Sequence, residues 1–260
     1  MEIIKKIYLN GIIADIAKSM NEEMQLLVFA LFLVVTAVAG YMLGSISSAI
    51  LISTKKYGKD IRTFGSGNAG ATNMLRTFGK GAAGLTFLCD MAKCAASVLV
   101  GRILIGETGA YIAGMFCMLG HIFPCYFKFK GGKGVVCAAT LILFVDPVIF
   151  AVLIVVFAVV VLISRYVSLG SIICGFIYPA VVFYRFKLGL ASLTTPFILI
   201  CSIIIGFMVI LMHRENLKRL YRGRERKISF SKKNKLSDEE FEKEAKKRYD
   251  DEVYVNYDEE

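Results

Sequence analysis

The chain has 260 residues, 56% apolar and 20% charged, with no Trp, a mean hydropathy of +0.62 and a net charge of +10. Soluble domains carry roughly 45–50% apolar and about 25% charged residues. Here the charges avoid several long apolar runs between Met24 and Met212, which excludes a water-soluble globular fold and indicates a polytopic, all-α membrane protein. The charge also divides: residues 228–260 hold 7 Lys/Arg against 11 Asp/Glu, a net of −4, so the remainder carries +14. A basic body suits positive-inside topology signals and anionic lipids or substrates.

Residues 1–23 read as an N-terminal extension with a weak interfacial pattern. The apolar run that follows outlasts a signal-peptide h-region of about 7–15 residues. Met24–Ser53 is expected to be the first span, ending at the basic loop Lys55–Arg62. The second runs from about Gly81 to Ile105 and contains Asp90, Lys93 and Arg102, the first two spaced to pair structurally one helical turn apart. A turn at Gly106–Gly109 leads into the third, which starts near Ala110 and gives way to a loop at Gly120–Gly134.

From Val135 to Ile163 the sequence is nearly all apolar, and one helix there would measure about 43 Å, too long to cross without strong tilt. Asp146-Pro147 divides it into a fourth and a fifth span, because Pro favours a helix start. A sixth is expected at about Ile172–Tyr184 and the last at about Thr194–Met212. Seven spans place the basic segments 55–80, 121–133, 164–171 and 213–227 on one side, with Arg185 and Lys187 as the exception. The positive-inside rule then puts the N-terminus outside and the C-terminus in the cytoplasm. The organisation expected is an extension at 1–23, a membrane domain at 24–225 and a charged cytoplasmic tail at 226–260. Within the tail, Ser237–Lys247 has a capped helical start.

Three segments carry chemistry. Gly65–Arg76 reads GSGNAGATNMLR: three glycines among Ser66, Asn68, Thr72 and Asn73 let backbone amides turn inward around a phosphate, with Arg76 able to add a bidentate contact. It lacks the Gly-Lys-Ser/Thr of a nucleotide-binding loop. Phe129–Gly134 is a glycine-lysine turn at the start of a helix, where Gly131, Gly132 and Lys133 favour an anion, although positive-inside lysines at a membrane edge look similar. His213–Glu225 reads HRENLKRLYRGRE, and on a helix His213 and Asn216 share a face, able to present two donors to one oxyanion. Its arginines read as a membrane-anchoring cluster, and His121 as structural. The seven Cys are scattered without a metal-ligand spacing and read as inert buried thiols, so no metal is expected. Neither His is followed by Asp at the fifth position, and no Ser-His-Asp triad or nucleophile elbow is evident.

Taken together in this order, Gly44–Ile52 with Lys55–Gly84, Gly120–Val135, Arg165–Leu169 and His213–Glu225 closely resemble the bacterial acyl-phosphate:glycerol-3-phosphate acyltransferases. The likeness covers about Gly40 to Glu225, with Ser47 where many members have Pro and Cys94 where Gly is usual. The resemblance implies transfer of a fatty acyl group from acyl phosphate to the 1-position of glycerol 3-phosphate, giving lysophosphatidic acid and phosphate. It implies no cofactor, no nucleic-acid partner, and a multi-pass protein of the cytoplasmic membrane with its site on the cytoplasmic face. Carried over by residue, Ser66, Arg76, Lys133 and His213 would be catalytic, and Asn68, Thr72, Asn73, Gly131, Gly132, Ser168 and Asn216 substrate-binding. The rival reading is a transporter of phosphorylated solutes, which calls for polar residues near the midplane of several spans.

Overall fold

The structure, a computed structural model, describes residues 11–17, 19–189 and 195–228, and among these all regular structure is helical. The tail from residue 229 onward, with its expected helix at Ser237–Lys247, and the first ten residues of the N-terminal extension lie outside the described residues. A short α1 (Ile12–Ala17) packs near α2 (Glu22–Gly44), which starts cleanly because the Asn21 side chain accepts a hydrogen bond from the Met24 amide at 2.9 Å beside Glu22 and Glu23.

The expected first span does not run unbroken to Ser53. Helix α2 ends at Gly44, and α3 (Ser48–Tyr57) starts after a break at Ser45–Ser47. The cause is tertiary. The buried Lys93 ammonium donates to the carbonyls of Gly44 at 3.0 Å and Ile46 at 2.7 Å, groups that a continuous helix would have used itself. Lys93 also forms the expected pair with Asp90, at 2.9 Å.

Next come α4 (Ala71–Phe78) and α5 (Lys80–Ile122), whose helical geometry lapses at Ile105 and Gly106, the latter at φ +67°. Two limbs result, folded back on each other close to the expected turn. Gly101 and Gly109 make the hairpin possible, because a Cβ on either would lie 2.1 Å from the other's carbonyl oxygen. The Ser97 hydroxyl crosses to the Ala113 carbonyl at 2.9 Å. The same small-residue logic docks α2 against the second limb, where a Cβ on Gly44 would meet the Cys117 carbonyl oxygen at 2.1 Å.

Beyond this, α6 (Val135–Val145) and α7 (Pro147–Ser164) are separated as expected by Asp146, whose carboxylate accepts from the amides of Val148 at 3.1 Å and Ile149 at 3.0 Å. Arg185 pairs with that carboxylate, so one of the two cations that break the charge pattern is neutralised at its own end of the bundle. Helices α8 (Val167–Lys187) and α9 (Thr195–Met212) cross at Gly175 and Gly206, and α10 (Arg214–Tyr221) bends away from α9 by 56°. Among the described residues, three helical stretches are long and apolar enough to cross a membrane, Glu22–Tyr57, Pro147–Ser164 and Val167–Lys187, and a fourth if α9 and α10 form one bent span.

The hairpin gives a direct test. Gly109→Val is expected to destabilise the protein by about 2 kcal/mol or more through overpacking, whereas Gly84→Ala, with open space at its Cβ, should be neutral or stabilising by up to about 1 kcal/mol. Thermal unfolding in detergent compares them, and equal midpoints would refute the close packing.

Candidate active site

The three chemistry-bearing segments meet at one end of the bundle, and a different device shapes each. In the first, Asn73 is 1% exposed, its Oδ1 accepting from the Ser66 amide at 3.0 Å while Nδ2 donates to the carbonyls of Phe64 at 2.9 Å and Ile61 at 3.2 Å. Its amide is therefore committed to holding the loop around Ser66. Gly65, at φ +59°, leaves the room this needs, since a Cβ there would stand 2.2 Å from Asn73 Oδ1. Arg62 ties this loop to the next by donating to the carbonyls of Phe127 at 2.8 Å and Lys130 at 3.3 Å.

In the second segment the glycines serve close approach, and their amides are not free for an anion. Gly131 donates to the Ile122 carbonyl at 3.1 Å and Gly132 to that of His121 at 3.0 Å. A Cβ on Gly132 would lie 2.1 Å from His121 Nε2, and one on Gly131 would lie 2.1 Å from the His121 carbonyl oxygen. His121 is in turn fixed by Lys93, whose Nζ lies 3.1 Å from Nδ1, and by Asp90 at 3.5 Å.

In the third segment, the α9–α10 bend buries His213. Its Nδ1 lies 2.7 Å from the Val209 carbonyl, which can only accept, so the ring proton sits on Nδ1 and Nε2 is left as an acceptor. The expected pair of donors from His213 and Asn216 is thus replaced by an acceptor, Nε2, beside an amide whose two ends are both engaged: Asn216 Oδ1 accepts from Lys133, and Nδ2 donates to Glu225 at 2.7 Å.

A cavity of about 370 Å³ joins the segments. Of the eleven expected site residues, Ser66, Asn68, Thr72, Asn73, Arg76, Lys133, Ser168, His213 and Asn216 line it, whereas Gly131 and Gly132 do not. The lining also includes a large apolar share, with Leu143, Phe150, Leu153, Phe157, Tyr178 and Ile205. The first turns of three helices also face it: Ala71 and Thr72 of α4, Val135 and Val136 of α6, and Val167 and Ser168 of α8. None of the three has a side-chain cap, so first-turn amides without intrahelical partners present positive dipole ends to one space.

The electrostatics follow from this crowding. Burial and the neighbouring Arg219, with Arg76 behind it, push the Lys133 ammonium down to about 8 against the opposing pull of Glu225. Burial and Lys133 push His213 down to about 4, so its imidazole is neutral at physiological pH. Glu225 escaped the sequence reading, which treated its surroundings as membrane anchoring; a lone carboxylate between Arg224 and Arg226 was the available signal. The scattered thiols conceal a second convergence. Cys94, Cys117 and Cys137 are all buried, with sulfurs within 4.8 Å of one another, where the α5 limbs meet α6 outside the cavity.

A helical membrane protein with a cavity lined by both cationic and apolar side chains has room and charge for a molecule that is anionic at one end and apolar at the other. Residues 34–223 match the glycerol-3-phosphate acyltransferase family, and the chain belongs to it. It is 38% identical to the glycerol-3-phosphate acyltransferase of Finegoldia magna, covering 76% of this chain and 97% of that one. It is 39% identical to that of Clostridioides difficile, again covering 76% and 97%. A crystal structure of PlsY (YgiH), an integral membrane glycerol 3-phosphate acyltransferase in its glycerol 3-phosphate form, is similar at 34% identity with a TM-score of 0.67, over 76% of this chain and 96% of that one. The lysophosphatidic acid form gives 33% and 0.65. The chain is accordingly an acyltransferase.

Asn73→Ala should separate loop shape from ligand contact. It strands two carbonyls and one amide at a cost of about 1–3 kcal/mol, and hydrogen exchange should rise across residues 61–67. Unchanged exchange there would show that Asn73 does not hold the loop.

Proposed function

We propose that the chain transfers a fatty acyl group from acyl phosphate to the 1-position of glycerol 3-phosphate, releasing lysophosphatidic acid and phosphate. The observation that carries this is the convergence of three uncapped helix N-termini with Arg76 and Lys133 on a polar chamber that continues into an apolar slot. The chamber suits phosphate and the slot suits an acyl chain. Two phosphate-bearing substrates held there would meet with the hydroxyl beside the acyl carbonyl, which is catalysis by positioning and charge stabilisation.

In this reading the glycerol hydroxyl donates to Nε2 of His213, which orients it towards the carbonyl carbon. As the new C–O bond forms, the carbonyl-to-phosphate C–O bond breaks and phosphate leaves. With its pKa near 4, His213 is a weak base at neutral pH, so the hydroxyl proton is best received by the departing phosphate. No covalent enzyme intermediate is needed, because an acyl phosphate is already activated. Ser66, Asn68, Thr72 and Ser168 supply short polar contacts around the phosphates, and Asn73, Gly131 and Gly132 maintain the walls.

The clustering of polar groups at one end of the bundle favours an enzyme over a transporter of phosphorylated solutes. We further infer seven spans within 24–225, with the N-terminus outside. The site and the charged tail at 226–260 then lie on the cytoplasmic side of the cell membrane.

Purified protein is expected to release phosphate from acyl phosphate only when glycerol 3-phosphate is present, and to leave acyl-CoA and acyl-carrier protein unused. Transfer from either thioester but not from acyl phosphate would overturn the donor assignment. The Lys133 cation is present below about pH 8 and lost above it, so kcat/KM should fall above that pH, approaching tenfold per unit. Lys133→Arg should move this alkaline limb out of range, since an arginine stays protonated; a limb left in place would assign it to another group.

A further inference from the structure

Just past α10 the chain turns back, with Gly223 at φ +65° and the Arg224 amide donating to the Arg219 carbonyl at 2.8 Å. This return carries Glu225 into the cavity wall, where its side chain is only 5% exposed. Oε1 accepts from the Ser168 hydroxyl at 2.8 Å and from Asn216 Nδ2 at 2.7 Å, and Oε2 accepts from Arg219 Nε at 2.9 Å. An amide can face either way, and a carboxylate accepts only. Glu225 therefore dictates that the nitrogen of Asn216 turns towards it and the oxygen towards Lys133, where that oxygen accepts from the ammonium. With the amide reversed, Lys133 would face two N–H donors.

We propose that Glu225 is a positioning residue, orienting Asn216 so that its oxygen anchors the Lys133 ammonium at the phosphate chamber and placing a compensating negative charge among the cations there. The inference rests on the phosphate-binding reading of that chamber. Its energetic logic is that a partly buried ammonium beside further cations is costly unless a nearby anion and an acceptor offset it. The groups that bear on Lys133 are Arg76 from α4, His213 at the α9–α10 bend, Arg219 from α10 and Glu225 after it. From α5 comes the internally paired Asp90–Lys93–His121 group.

A merely structural Glu225 and a positioning one differ in the pH profile. Replacing the carboxylate by a neutral amide removes the charge that favours protonated Lys133, and replacing Arg219 removes one that disfavours it. Glu225→Gln is expected to shift the alkaline limb of kcat/KM down and Arg219→Gln to shift it up, each by about half a pH unit to one unit. The double variant replaces a charged pair by a neutral one, which proteins tolerate better than the loss of one partner. Its limb should lie below that of Arg219→Gln.

If Glu225→Gln fails to fold, the double variant compared with Arg219→Gln decides the matter. Coincident limbs in that pair, or a Glu225→Gln limb at the wild-type pH, would overturn the proposal. The Lys133 titration is also read without turnover, from the pH dependence of its labelling by a water-soluble amine reagent followed by mass spectrometry. Absence of acyl transfer by the wild type would count against the proposed reaction alone, and the labelling shift would still decide the role of Glu225.

Discussion

A single buried ammonium organises the membrane half of this protein. Lys93 sits inside the bundle and shares its donors among Asp90, the carbonyls of Gly44 and Ile46, and the ring of His121. A charge buried away from water is costly unless paired and fully hydrogen-bonded. Meeting that requirement here brings the end of α2, the start of α3 and both limbs of α5 to one point. The Ser48 hydroxyl completes the group by donating to Asp90 at 3.0 Å. Loss of Asp90 alone would leave the ammonium without its anion, so the cluster behaves as one unit whose members cannot be varied singly.

The site depends on this knot through His121. Its ring occupies the space that a side chain on Gly132 would need, and its carbonyl receives the Gly132 amide. The glycine turn is thereby pressed against the end of the α5 hairpin, which fixes where α6 starts and where Lys133 projects. Arg62 and Asn73 do the corresponding work for the first loop. Close packing of backbone on backbone, permitted by glycine, replaces the flexible cradle that a glycine-rich sequence suggests. The anion-attracting groups are left to helix first turns and cationic side chains.

How far the sequence revealed this varies with the range of the forces involved. The division at Asp146-Pro147 was legible because a cap and a proline act locally, and the α5 turn because Gly106 takes a positive φ. The break at Ser45–Ser47 was not, since the apolar pattern runs straight through it and its cause lies more than forty residues away in Lys93. At the site, residue types pointed to phosphate, but their division of labour required coordinates. Asn73 is an internal strut, Gly131 and Gly132 are spacers, and His213 accepts where a donor was expected. Glu225 was marked only by standing between Arg224 and Arg226, and the three-thiol cluster depends on contacts between distant segments that no local spacing announces.

The shifts at Lys133 and His213 share one origin. His213 is buried and Lys133 partly buried, each beside cations, so both release protons more readily than they would in water. A positive field of that kind favours an anion, and the same field weakens any protein base inside it. Raising the His213 pKa towards 7 would require more negative charge nearby than Glu225 supplies, and that charge would also repel an incoming anion. Glu225 does not escape this conflict by strength of charge: its oxygens are covered by Ser168, Asn216 and Arg219, so its charge acts on Lys133 while presenting little bare carboxylate to an incoming anion. A site built this way must draw its chemical reactivity from the substrate. The mixed anhydride of the proposed reaction, activated before it arrives and leaving as phosphate, would meet that requirement, whereas a less activated ester would call for the base that this field suppresses.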